Sequence, residues 1–165
     1  MLGARLCGAR QVIAIDVHDD KLKIARQLGA DLTFNAASSD CAEQVREATG
    51  GGAESVLEMA GSVKALDLAY RITRRGGTTV TAGLPHPDHK LELQAVSLVA
   101  EERTIKGSYI GSCVPVRDMP RYISLYQQGL LPVDRLMGDR IGLDDLNTAF
   151  DHLADGHTIR QILVP

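Results

Sequence analysis

One feature constrains this chain more than any other: apolar runs alternate with amphipathic stretches over very short links. The runs are Val12–Ile15, Leu32–Phe34, Ser55–Met59, Thr78–Ala82 and Thr104–Ile110. Between them, His18–Leu28 carries Leu22, Ala25 and Leu28 on one helical face and meets a stop at Gly29. Asp40–Ala48 is a weaker helical stretch closed by the glycines of "TGGG". Ser62–Thr73 opens on a serine suited to capping, sets Val63, Leu66 and Tyr70 on one face, and stops before Gly76 and Gly77. Strand, helix and strand joined this tightly predict parallel βαβ units with right-handed crossovers. The runs are near-continuously apolar, as strands are when helices cover both faces.

The last third has another character. In "GSCVPVRDMPRYISLYQQGLLPVDRLM" the prolines predict a loop, followed by a helix from about Met119 to Gln128. "LDDLNTAFDHLADG" predicts a helix with Leu143, Leu146, Phe150 and Leu153 on one face. Asp144 and Asp145 suit its positive N-terminal end, and Gly156 suits its C-terminal cap. "TIRQILVP" reads as a closing strand.

Composition excludes several partners. The net charge of −3 gives no basic field for nucleic acid or an anionic membrane. No apolar run approaches the ~20 residues that span a bilayer, and "MLGARLCGAR" lacks the apolar core of a secretory signal. Absence of Trp, with four Tyr and two Phe, argues against a surface that stacks bases or sugars. Cys7, Cys41 and Cys113 are scattered with no C-x-x-C pair, which predicts reduced thiols and a cytoplasmic setting.

Chemistry enters at "QVIAIDVHDDKLKIARQLGAD", where an apolar run ends on Asp16 and a helix follows. A carboxylate there suits a ribose. The phosphate-binding glycines of such a unit precede it by ~20 residues, which lies before Met1. Met1–Gly8, with its small Gly3, Ala4 and Gly8, reads as the back half of the helix that follows those glycines. No G-x-G-x-x-G occurs elsewhere. "TGGGAES" lacks the Lys-Ser/Thr of a P-loop and reads as a helix-to-strand turn.

"GARQVIAIDVHDDKLKIARQLGAD", "SVLEMAG", "RRGGTTVTAGLP", "RTIKGSYIG" and "HTIRQILVP" stand in the order and spacing of the medium-chain, zinc-type alcohol dehydrogenases. The chain resembles the C-terminal part of that family over its whole length. The resemblance implies an α/β, Rossmann-like doubly wound parallel sheet lacking its first strand and glycine-rich loop. Residues 1–110 would form an incomplete NAD-binding domain. Residues 111–165 would form a C-terminal segment that in the family packs on the catalytic domain.

The resemblance also implies residue roles. Asp16 would accept hydrogen bonds from the adenosine ribose hydroxyls and repel a 2′-phosphate, which favours NAD over NADP. Lys21 would reach the same ribose, with His18 and Asp19 at the adenosine rim. Met59 and Ala60 would touch the cofactor through apolar atoms and main chain. The main chain of Ala82 and the side chain of Leu84 would frame the nicotinamide, and the main chain of Ser108 and Ile110 would meet its carboxamide. Arg160, at the start of a buried-looking strand, would meet the pyrophosphate, because an arginine so placed needs an anion.

Family chemistry needs a zinc ion with an open position that polarises an alcohol or aldehyde oxygen. Its cysteine, histidine and acid ligands belong to the N-terminal half, so no catalytic or metal residue is assigned here. Cys7, Cys41 and Cys113 match none of them, and His86 and His89 lie in a proline-rich loop without a suitably spaced third ligand. Loss of a central strand predicts poor stability, aggregation or closure of the flanking strands. NAD binding by the chain alone should be weak at best without the phosphate-cradling amides. The resemblance further implies a homo-oligomer, with the segment near Leu91–Tyr109 pairing across a two-fold axis. Two other readings stand beside it: part of a zinc-independent, quinone-reductase-type oxidoreductase, and a non-catalytic oligomerisation module. The "IKGSYIG" and "TIRQILVP" segments lean towards the zinc type.

Overall fold

A computed structural model describes residues 1–156, 158 and 160–165. In chain order the elements are α1 (Leu2–Leu6), β1 (Ile13–Asp16), α2 (Asp19–Gln27), β2 (Leu32–Asn35), α3 (Cys41–Ala48), β3 (Ala53–Glu58) and α4 (Val63–Ile72). There follow β4 (Thr73–Thr81), α5 (Ala95–Ala100), β5 (Thr104–Gly107), α6 (Pro115–Gln127), β6 (Arg140–Ile141), α7 (Leu146–Ala154) and β7 (Ile162–Leu163). The fold is α/β with helices between parallel strands, as the alternation predicts. β4 lies between β3 and β5 and pairs with both in parallel. β1 pairs with β2, and β6 with β7. No described helix is long and apolar enough to cross a membrane.

The chain divides into two compact units, one of Met1–Thr33 with Val116–Pro165, the other of Phe34–Pro115. The first unit buries Leu22, Ala25 and Leu28, the face expected of α2, together with Val12 and Ala149. A reciprocal pair pins the end of this βα element: the Val12 N–H donates to Asp31 Oδ2 at 2.6 Å, and the Asp31 N–H donates to the Val12 carbonyl at 2.8 Å. Arg5 forms an ion pair with the same carboxylate. Bonded to the Val12 amide first and to Arg5 second, Asp31 is held below the usual carboxylate range.

The second unit packs Cys41, Ala42 and Val45 of α3 and Ala69, Tyr70 and Ile72 of α4 in its core. On α4, Tyr70 is buried as expected, but Val63 and Leu66 are only half-buried, and the deepest positions are Ala69 and Ile72. Ser62 occupies the N-cap without a side-chain capping bond. The glycines after α3 form the expected turn into β3, closed by Thr49 Oγ1, which accepts the Gly52 N–H at 2.9 Å.

Several elements differ from the sequence reading. β4 begins directly after α4 rather than at Thr78, and the "RRGG" residues make a register irregularity instead of a loop, with Ala53 opposite Thr73 but Ser55 opposite Thr78. β5 stops at Gly107, so Ile110 leaves the strand for a tight turn. β3 buries Val56 and Glu58 to different depths on one face but exposes Ser55 and Leu57 on the other, so it is not covered on both sides. α6 starts at Pro115, because proline suits the first helical turn, where its missing N–H has no partner to lose. The expected apolar face of α7 is largely open: Leu143, Phe150 and Leu153 are exposed, and Ala149 is the buried residue. The closing strand shrinks to Ile162–Leu163; His157 and Ile159 of that motif lie outside the described residues. α5 and β6 had no counterpart in the sequence reading.

Candidate functional site

In the first unit the candidate residues gather at the exit of β1. Asp16 is its last residue and is half-buried. Its Oδ1 accepts the His18 N–H at 2.9 Å, which orients the carboxylate within the turn that launches α2. Oδ2 has no other partner among the described residues. Lys21 is half-buried one turn along α2. Its ammonium stands against Gly156, where a Cβ would lie 3.2 Å from Lys21 Nζ and 3.4 Å from His18 Nε2. Gly156 has φ +74° just past the C-terminal end of α7, where the helix dipole favours cations. This unit therefore presents an oriented carboxylate and a lysine beside a helix end.

Arg160 departs from its expected setting. It is exposed and precedes the short β7, rather than opening a buried strand. Its carbonyl is packed tightly against Gly138, where a Cβ would lie 1.9 Å away. It helps line an apolar hollow of about 230 Å³ with Ile141, Phe150, Leu153 and Leu163. Among the described residues no acid pairs with it.

In the second unit the candidates meet at the carboxyl ends of β3, β4 and β5. Met59 and Ala60 follow β3; Met59 is 67% exposed. Ala82 follows β4 and donates its N–H to the Glu58 carbonyl at 2.9 Å. Leu84, two residues on, is 78% exposed. Gly61, at φ +67°, and Gly83 press together: a Cβ on Gly83 would stand 2.1 Å from the Gly61 nitrogen. The Ser108 N–H donates to the Thr81 carbonyl at 2.9 Å, and its Oγ lies 3.2 Å from Ser112 Oγ. Ile110 stands apart from that ladder in a turn at φ +49°, which a β-branched residue seldom adopts. The structure thus joins the Met59–Gly61 turn to the Ala82–Leu84 turn, and Ser108 to the end of β4.

The sequence reading missed the residue that ties these turns together. Glu58 is only 5% exposed. Its Oε1 accepts the N–H groups of Ala60 at 2.7 Å and Gly61 at 2.8 Å, and its Oε2 accepts the Thr81 hydroxyl at 2.7 Å. The available signal was an acid inside the apolar run "SVLEMAG", two residues from the half-buried Val56. A strand acid in phase with a buried face needs partners. Arg103 was missed as well. Its side chain is 6% exposed; it donates to the Tyr70 carbonyl at 2.5 Å, lies 4.8 Å over the Tyr70 ring and pairs with Glu101.

The groups at these rims are suited to holding a ligand. A carboxylate oxygen without a partner among the described residues suits vicinal hydroxyls, and main chain with exposed Met59 and Leu84 suits a flat, weakly polar ring. Zinc finds no equivalent. Among the described residues no cluster of three His, Cys, Asp or Glu could hold a metal ion. His86 and His89 have ring centroids 5.5 Å apart, and Asp88 lies 3.6 Å from His86. Cys41 is buried, and burial pushes its thiol pKa up.

The chain is similar to known proteins over nearly all of its length. The profile of the family described as zinc-binding dehydrogenase matches residues 1–128. Alcohol dehydrogenase 1 of Oryza sativa subsp. indica is 31% identical over 164 residues, spanning 98% of this chain and 43% of its own length. The benzyl alcohol dehydrogenase of Acinetobacter calcoaceticus superposes with a TM-score of 0.93 at 31% identity, over 98% of this chain and 44% of that one. A zinc-binding dehydrogenase of Sinorhizobium meliloti, solved bound to NADP, superposes with a TM-score of 0.86 at 25% identity, over 99% of this chain and 48% of that one. The chain therefore spans a little under half the length of the relatives it matches.

Proposed function

Because the chain belongs to the zinc-binding dehydrogenase family, we propose that it is the coenzyme-holding, C-terminal part of a zinc-dependent, NAD-linked alcohol dehydrogenase. The whole enzyme would move hydride between an alcohol or aldehyde and the nicotinamide, in the cytoplasm and as a homo-oligomer. Residues 1–110 would serve the coenzyme, and residues 111–165 would return to the catalytic part. Bound NAD supplies the hydride acceptor; this chain's residues bind and orient it. Asp16 takes the adenosine ribose through Oδ2, with Lys21 beside it. The turns bearing Met59, Ala60, Ala82 and Leu84 take the nicotinamide, and the main chain of Ser108 and Ile110 its carboxamide. Arg160, exposed and without an acid partner among the described residues, is free to meet a phosphate. Zinc ligands are not among the described residues, and catalysis by this chain alone is not expected.

The observation that carries this reading is Asp16: one oxygen committed to its own turn, the other without a partner among the described residues, at the tip of a strand. A 2′-phosphate beside it would meet like charge, which favours NAD over NADP by at least about fivefold. Saturation-transfer NMR on the chain, with NAD and NADP in competition, tests this. The expected result is transfer to the adenine protons of NAD that NADP displaces poorly, with the preference erased in Asp16→Asn. Equal or tighter binding of NADP by the unaltered chain would overturn the assignment of NAD.

A further inference from the structure

Glu58 has no role in the reading above, yet it is the most heavily engaged side chain near the proposed nicotinamide turns. A carboxylate 5% exposed must be satisfied, and here every bond it makes runs to the two turns. Oε1 holds the Ala60 and Gly61 amides, Oε2 holds the Thr81 hydroxyl, and the carbonyl of the same residue holds the Ala82 N–H. Side chain and main chain of one residue thus grip both the β3 exit and the β4 exit. The grip lies where Gly61 and Gly83 touch and where a displacement would move Met59 and Leu84.

We propose that Glu58 is a positioning residue for the nicotinamide ring: it locks the Met59–Gly61 turn against the Ala82–Leu84 turn so that both present one fixed rim. The inference rests on the coenzyme reading given above. Glu58 does not touch the ring; its carboxylate is directed inward, and its effect passes through Ala60, Gly61 and Thr81. Preorganised main chain of this kind orients a ligand only while its donors are held. The consequence is asymmetric. Loosening the lock should free the nicotinamide end of a bound dinucleotide and leave the adenosine end, assigned to Asp16, unchanged. A residue that merely supported the fold would affect both ends alike.

The test is saturation transfer from the 165-residue chain to NAD, read separately at the adenine and nicotinamide protons. Glu58→Ala removes the lock. Glu58→Gln keeps the shape and an acceptor for the amides, and Thr81→Val cuts only the outer bond. The nicotinamide-to-adenine ratio is expected to fall at least about twofold in Glu58→Ala, less in Thr81→Val, and to recover most of the way in Glu58→Gln. Amide exchange at Ala60 and Gly61 should quicken in the same order. If Glu58→Ala does not fold, the Thr81→Val and Glu58→Gln ratios decide: an unchanged ratio in Thr81→Val overturns the proposal. A parallel loss at both ends, or no change at either in a folded Glu58→Ala, also overturns it. Absence of any transfer to adenine in the unaltered chain would instead sink the coenzyme reading, and the positioning role with it.

Discussion

At the end of β1 the chain offers a side chain, and at the ends of β3 and β4 it offers main chain. Asp16 is half-buried, bonded within its own turn and, among the described residues, without a partner on its other oxygen. Around Glu58 the exposed atoms belong to Met59, Ala60 and Leu84, and the charge is hidden beneath them. Under the proposed coenzyme reading, the first rim would meet its ligand by charge and hydrogen bonding and the second by shape. The first should therefore tolerate substitution in stability but not in ligand choice, whereas unlocking the second should cost stability and nicotinamide orientation together.

The sharpest way to break that contrast is Gly83→Ala. The new Cβ would fall 2.1 Å from the Gly61 nitrogen and 2.5 Å from its Cα, both main-chain atoms that no rotamer can move aside. A loss of about 4 kcal/mol or more is expected, read from the urea midpoint. Glu58→Ala comes next. It strands the Ala60 and Gly61 amides and the Thr81 hydroxyl, costing about 3 kcal/mol. If either change left the midpoint untouched, the second rim would not be the rigid partner in the comparison.

A smaller effect separates neighbours within the second unit. Thr73 and Thr79 are wholly buried, with hydroxyls 2.7 Å apart, and the Thr73 hydroxyl donates to the Ala69 carbonyl at 2.7 Å. That fixes Thr79 as the donor to Thr73. Thr73→Val leaves the Thr79 hydroxyl buried and unpaired, at about 1–2 kcal/mol, whereas Thr79→Val leaves the Thr73 donor bond intact and costs less than about 1 kcal/mol. Paired urea melts of the two variants check the order.

Much of this was legible in the residues. The βα alternation, the buried face of α2 and the Asp16 strand end all follow from periodicity and charge, because a helix and a strand each print their period on the sequence. What stayed hidden depends on tertiary pairing. α5 is six residues, too short to show a face. β6 and β7 are two residues each and exist only by pairing with one another. The exposure of α7 at Phe150 and Leu153 depends on what packs against it, which its own pattern does not specify. Glu58 is not legible as a site residue because its partners, two main-chain amides and the Thr81 hydroxyl, are brought together only once β3 and β4 have paired.

On the first unit the acid limb of stability tests the contrast. Asp31 carries a depressed pKa, through the Val12 amide first and Arg5 second. A group whose folded pKa is lowered contributes stability that is present above its unfolded pKa and is lost as pH falls through the folded one. The chain should therefore weaken as pH drops below the ordinary carboxylate range. Asp31→Asn should flatten that limb while leaving the neutral-pH adenine signal in place. A limb equally steep in the variant would move the acid sensitivity elsewhere.

The smallest stability effect, and the most telling, belongs to Asp16→Asn. The amide keeps an oxygen for the His18 N–H, so the turn into α2 survives, and the urea midpoint should stay within about 0.5 kcal/mol of the unaltered chain. What changes is the charge at the strand tip, and with it the discrimination between ribose and 2′-phosphorylated ribose. A variant that melts normally but no longer prefers NAD would show a side chain kept for its ligand rather than for the fold. A variant that unfolds as readily as Glu58→Ala would make Asp16 a structural acid of the same kind, and the distinction between a charged rim and a locked one would be lost.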